Sequence, residues 1–110
     1  MTKSFIPDED IEKALDYLRD SATTAAQARA NRIYMEEYRK TLKAKVMQRF
    51  AMSPLGAQER DAYASREYTD HLNALKTAVE EDEKHRFLRE AAQAKIEAWR
   101  SMSANLRITI

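Results

Sequence analysis

Cysteine is absent from the 110 residues, glycine occurs once and proline twice. Without cysteine there is no disulfide framework, no thiolate zinc site and no thiol nucleophile. One glycine rules out a Gly-rich phosphate cradle, a dinucleotide fingerprint and a series of tight hairpins. Two histidines, His71 and His85, are too few for a three-histidine metal site built by one chain. Neither sign of charge prevails, with 19 Lys and Arg against 18 Asp and Glu. No stretch approaches the ~18 consecutive apolar residues of a membrane span. Residues 1–6 lack the apolar centre of a signal peptide, so the expected location is the cytoplasm.

What remains is helix-forming. Between its few breaks the chain is mostly Ala, Leu, Lys, Arg, Glu, Gln and Met. Pro7 suits the first turn of a helix, and Ser53, Pro54 and Gly56 mark the firm break. These signals predict a helix over 8–51, a turn at 53–56, a helix over 57–104 and an extended, β-branched tail at 105–110. Hydroxyl residues at 21–24 are a possible second cap, and Ser65 is a candidate fresh N-cap. Apolar residues recur at spacings of three and four: Ile11, Leu15, Leu18, Ala22 and Ala25, then Met35, Tyr38, Leu42, Val46 and Phe50 after a phase shift across 29–33. In the second half Tyr68, Leu72, Leu75 and Val79 are followed by Leu88, Ala92, Ile96 and Trp99. That narrow stripe predicts an all-α fold. The expected form is a long antiparallel helical hairpin, coiled-coil-like, in a single domain over 1–110. A charged fraction of 34% leaves a lone hairpin short of apolar burial, so a homodimer pairing into a helical bundle is expected. The alternative is a compact three- or four-helix bundle broken near 21–24 and 65.

Charge is unevenly placed. No acid occurs between Tyr38 and Gln58, while Arg39, Lys40, Lys43, Lys45 and Arg49 do, and Arg60 and Arg66 follow the turn. Arg39, Lys43, Lys45, Arg49, Arg60 and Arg66 are therefore the candidate contacts for nucleic acid or an acidic partner. The competing explanation is local: acids at the start of a helix and cations near its end complement the helix dipole. Glu81 and His85 are i,i+4 neighbours, but carboxylates facing them across a hairpin would be out of register by about two turns. The stretch 80–83 thus reads as a solvated acidic face, with Glu80 pairing Lys84. His71 reads as a surface or boundary histidine. No metal, cofactor or catalytic residues are expected, because straight helices offer no loops to fold a pocket.

Tyr34 and Tyr38, and Tyr63 and Tyr68, form two groups that could meet across the hairpin as packing or as base-stacking surfaces. Trp99, the sole tryptophan, is expected to staple the open end against Phe5, Ile6 and Ile11. With Arg100 it is also the candidate partner-docking anchor.

A scattered run carries a resemblance: Glu59-Arg60, Ala62, Ala64-Ser65, Glu67-Tyr68, Leu72, Leu75, Ala78-Val79, Leu88-Arg89, Ala92, Ile96-Glu97, Trp99-Arg100-Ser101 and Ala104-Asn105. Over residues 59–107 it resembles small uncharacterised α-helical proteins of tailed phages and prophages. The resemblance implies a phage or prophage origin, the cytoplasm of a bacterial host and a setting among recombination and replication genes. It implies no enzymatic activity and no catalytic residues. The expected function is that of a non-enzymatic accessory protein acting on a phage or host protein by contact, with weak nucleic-acid binding. The alternative is a host-takeover or anti-defence inhibitor that masks a bacterial protein.

Overall fold

The computed structural model describes residues 6–109, and all of its long elements are helices: α1 (Asp8–Asp20), α2 (Ala22–Met47), α3 (Leu55–Tyr63) and α4 (Arg66–Thr109). Among the described residues there is no strand. The fold is all-α and built from antiparallel helix pairs, as the spacing predicts. Pro7 precedes α1 with extended backbone, and its carbonyl accepts the N–H of Asp10 at 3.0 Å. Asp8, Glu9 and Asp10 fill the first turn, where the helix dipole favours anions.

The expected helix over 8–51 is divided at Ser21 and ends earlier. Ser21 stays in the right-handed region (φ −87°, ψ −5°), and helical bonds continue on both sides, from Ser21 N–H to Tyr17 O and from Ala25 N–H to Ser21 O. The interruption is therefore one residue long. Its cause is Arg89 on α4, whose Nη1 donates to the Leu18 carbonyl (2.9 Å) and to Ser21 Oγ (2.7 Å). α2 stops at Met47 and runs into a 3-10 turn, Gln48–Phe50. The turn lies before Pro54 rather than across 53–56. Gln58 reaches back from α3, and its Nε2 donates to Ser53 O at 2.8 Å. Gly56 is inside α3, has no positive φ, and a methyl group added there would meet nothing within 4 Å. The turn thus depends on Pro54 and Gln58 and not on the glycine.

Ser65 starts a new helix, as its hydroxyl predicts. Its Oγ accepts the N–H of Tyr68 (3.2 Å) and donates to the Ala62 carbonyl (2.6 Å). At the other end the expected extended tail is corrected: 105–109 continue α4, and only Ile110 lies outside the described residues. No breaker follows Ala104, and each residue added to an existing helix gains a hydrogen bond that outweighs a modest β-branched penalty.

The chain divides into two compact units, Met1–Ala26 with Glu83–Ile110, and Gln27–Asp82. In the first, α1 runs antiparallel to the second part of α4, with Asp8 meeting Trp99 and Leu18 meeting Arg89. In the second, α2 runs antiparallel to the first part of α4, with Arg32 meeting Asp82, Met35 meeting His71 and Arg49 meeting Glu67.

The seam differs from the predicted stripe. Along α4 the inward residues are Tyr68, His71, Leu75, Ala78 and Asp82 in one unit, and His85, Arg89, Ala92, Ile96 and Trp99 in the other. Facing them are Ile11, Ala14, Leu18 and Ser21 in the first unit, and Ala28, Arg32, Met35, Tyr38, Leu42 and Val46 in the second. The three-four alternation runs through Ala28, Arg32 and Met35, so no phase shift occurs across 29–33, where Arg32 holds the seam position. Leu15, Leu72 and Leu88, read as seam residues, are exposed. His71 is half-buried, a boundary residue: its Nε2 lies 2.8 Å from the Met35 carbonyl, which fixes Nε2 as the protonated, donating nitrogen. Asp82, by contrast, is not on the solvated face expected for 80–83. Its carboxylate is 3.1 Å from Arg32 Nη1, with only 13% of the side chain exposed.

Two stability measurements check this register. Asp82→Ala strands part of a half-buried guanidinium and is expected to cost about 1–3 kcal/mol in urea unfolding. Leu72→Gln, at a position outside the seam, is expected to cost under about 1 kcal/mol. The reverse order would restore the apolar stripe. Gly56→Ala adds helix propensity where nothing obstructs a methyl group, and is expected to raise stability by about 0.4–1 kcal/mol in the same assay.

Candidate interaction surfaces

The six cations singled out in the sequence all lie in the second unit, but they do not form one patch. Four of them meet acids supplied by α3 and α4. Lys43 Nζ is 3.8 Å from Glu59, Arg60 is 3.7 Å from Asp61, and Arg66 is 3.8 Å from Asp70. Arg49 pairs with Glu67. Lys45 lies over the Tyr38 ring, 5.6 Å from its centroid. Arg39 is exposed and makes no ion pair among the described residues. The acid-free interval between Tyr38 and Gln58 is thus acid-free only along the chain. Folding brings Glu59 and Glu67 against it.

One groove gathers what is left. It has a volume of about 650 Å³ and is lined by Arg39, Lys40, Lys43, Ala44 and Met47 of α2, Tyr63 of α3 and Tyr68 of α4. Lys43 Nζ sits 4.6 Å from the Tyr63 ring centroid, and Tyr63 meets Tyr68 edge-on at 5.1 Å. The Tyr63 hydroxyl and, more weakly, Glu59 hold the Lys43 ammonium above its ordinary pKa, against a smaller opposing effect of burial. Lys40 is also 3.9 Å from Glu37. The two tyrosine groups stay apart: Tyr34 stacks on Tyr38 at 5.9 Å, and Tyr38 in turn meets His71 at 5.8 Å.

In the first unit Trp99 is at the expected place with a polar partner. Its Nε1 donates to Asp8 Oδ1 at 3.0 Å, while Phe5 lies outside the described residues. Arg100 points along α4 to Glu97, 3.1 Å away, so the two proposed docking residues are each engaged locally. The sequence reading missed a second groove, of about 350 Å³, between α1 and α4. Its floor is Ala14, Tyr17, Leu88, Ala91 and Ala92, and Asp10, Lys13 and Lys95 stand on its rim. The Tyr17 hydroxyl is buried and has no hydrogen-bond partner among the described residues. The signal that would have revealed this groove is the flank of the correct seam, one position away from the apolar stripe.

Among the described residues, no group of three or more His, Cys, Asp or Glu is placed to hold a metal ion, and no helix is long and apolar enough to cross a membrane. Compared with protein-family models, curated proteins and solved structures, the chain matches none.

Trp99 makes this end directly observable. Asp8→Ala removes the indole's acceptor and is expected to shift Trp99 emission to longer wavelength, while lowering global stability by no more than about 1 kcal/mol. An unchanged emission maximum would mean that the indole is held by other contacts.

Proposed function

We propose that this is a non-enzymatic protein that works by surface contact, and that its first partner is a second copy of itself. The observation that carries the reading is the amount of surface left open. The chain exposes 8325 Å², whereas a globular monomer of 12.8 kDa exposes about 6300 Å². The excess, about 2000 Å² on one chain, is more than the roughly 800 Å² that each partner buries in a standard dimer interface. Large apolar residues are part of it: Leu88 is 47% exposed and Phe87 58%. The floor of the α1–α4 groove is apolar, and its rim carries both signs, Asp10 beside Lys13 and Lys95. A two-fold axis through such a groove brings Asp10 of one copy toward the lysines of the other.

The biological setting we infer is that of a phage or prophage accessory protein in the bacterial cytoplasm, serving recombination or replication. It is supported by the residue pattern over 59–107, and the contact chemistry proposed here does not depend on it.

Light scattering at tens of micromolar protein tests the reading. The expected mass is twice 12.8 kDa, falling to a monomer in Ala91→Glu and Leu88→Glu, which place a charge in the groove without touching the seam. A monomer mass for the unaltered chain overturns it. Dimers that persist in both variants move the interface elsewhere and overturn the assignment to this groove.

A further inference from the structure

We propose that the groove between Arg39, Lys43 and Tyr63 binds single-stranded nucleic acid, with a backbone phosphate between the cations and a base against the tyrosine ring. The proposal is independent of self-association, since this groove belongs to the second unit and its test reads ligand binding rather than mass.

Three observations carry it. First, Arg39, Lys40 and Lys43 line the groove and no carboxylate does. Glu59 reaches Lys43 at a loose 3.8 Å, and Arg39 has no ion pair among the described residues. An incoming phosphate therefore meets one guanidinium with no ion-pair partner and an ammonium that Glu59 and the Tyr63 ring already hold at the groove. Second, aromatic surface stands beside these charges. Tyr63 keeps 48% of its surface open while Lys43 and Tyr68 hold its ring in place. A ring held by a cation and by an edge-on neighbour loses little freedom when a base stacks on it. Third, the combination favours nucleic acid over an acidic peptide. Carboxylates would use the cations alone, whereas a nucleotide presents a phosphate and a π-face within one repeat, and stacking accepts any base.

The groove also narrows the set read from sequence. Lys45, Arg49, Arg60 and Arg66 do not line it. Lys40 and Tyr63 take their place.

Fluorescence anisotropy of a labelled oligothymidylate of about 12 nucleotides, titrated with the full chain, tests the proposal. Binding is expected at about 20 mM salt, with a slope of log affinity against log salt near about −0.7 for each phosphate the cations engage. Arg39→Glu reverses an exposed charge that folding does not use, and is expected to weaken binding by about tenfold or more. Tyr63→Ala is expected to weaken it by about tenfold, and Tyr63→Phe to restore it, because stacking needs the ring and not the hydroxyl. Circular dichroism of each variant checks that the helices are intact. No anisotropy change at low salt overturns the proposal. So does polyglutamate that competes as well as unlabelled oligonucleotide while Tyr63→Ala binds normally, because the site is then one for an acidic protein. A duplex bound as tightly as the single strand overturns it too, since its bases are not free to stack.

Discussion

Two helices facing each other can hide only one narrow stripe apiece, and in this chain polar residues occupy much of that stripe. Tyr68, Leu75, Ala78, Ala92 and Ile96 supply the apolar seam of α4, while His71, Asp82, His85 and Arg89 interrupt it. Partners across the pair fix His71 at the Met35 carbonyl, Asp82 at Arg32, and Arg89 at Leu18 and Ser21. The net energy of such contacts is small, because desolvation offsets much of the attraction. Their effect on register is large. Sliding α2 by one heptad so that Ala25 replaced Arg32 opposite Asp82 would leave a partly buried charge unpaired, at a cost of several kcal/mol. The pairing geometry therefore follows from polar matches more than from apolar bulk.

That constraint also explains which features were legible in the sequence. Helix content was legible because strong helix formers fill every interval between breakers, and the starts at Pro7, Pro54 and Ser65 carry local chemistry that acts regardless of tertiary context. The phase of the seam was not. A search for apolar spacing passes over Arg32, His71, Asp82 and Arg89 and settles on the nearest leucines, Leu15, Leu72 and Leu88, which stand one position to the side. The break at Ser21 was visible as a hydroxyl cluster, yet its cause is a side chain 68 residues away. The helical end of α4 shows the opposite case: the β-branched residues near its end favour extended backbone locally, and propagation of an established helix prevails over them.

The candidate cations show the same division between local and distant information. Their clustering along α2 was plain, and so was the absence of neighbouring acids. Antiparallel pairing then delivers acids from far along the chain, Glu67 to Arg49 across 18 positions, and divides what looked like one patch. Exposed pairs of this kind add little to stability, on the order of 0.2–1 kcal/mol each. They do change which charges remain open to a partner: of the six cations, Arg39 has no ion pair among the described residues, and it lines the groove with Lys40 and Lys43.

The two grooves differ in a way that separates their occupants. The groove of the first unit has an apolar floor and a rim of both signs, so a copy of itself is electrostatically acceptable and its floor gains from losing water. The groove of the second unit is rimmed by cations alone, and two copies meeting there would set like charge against like. On the nucleic-acid proposal its complement is anionic, and the open ring of Tyr63 favours a flat, stacking ligand over a flexible acid. One thin seam thus leaves two surfaces of opposite logic: one that tolerates its own image and one that rejects it.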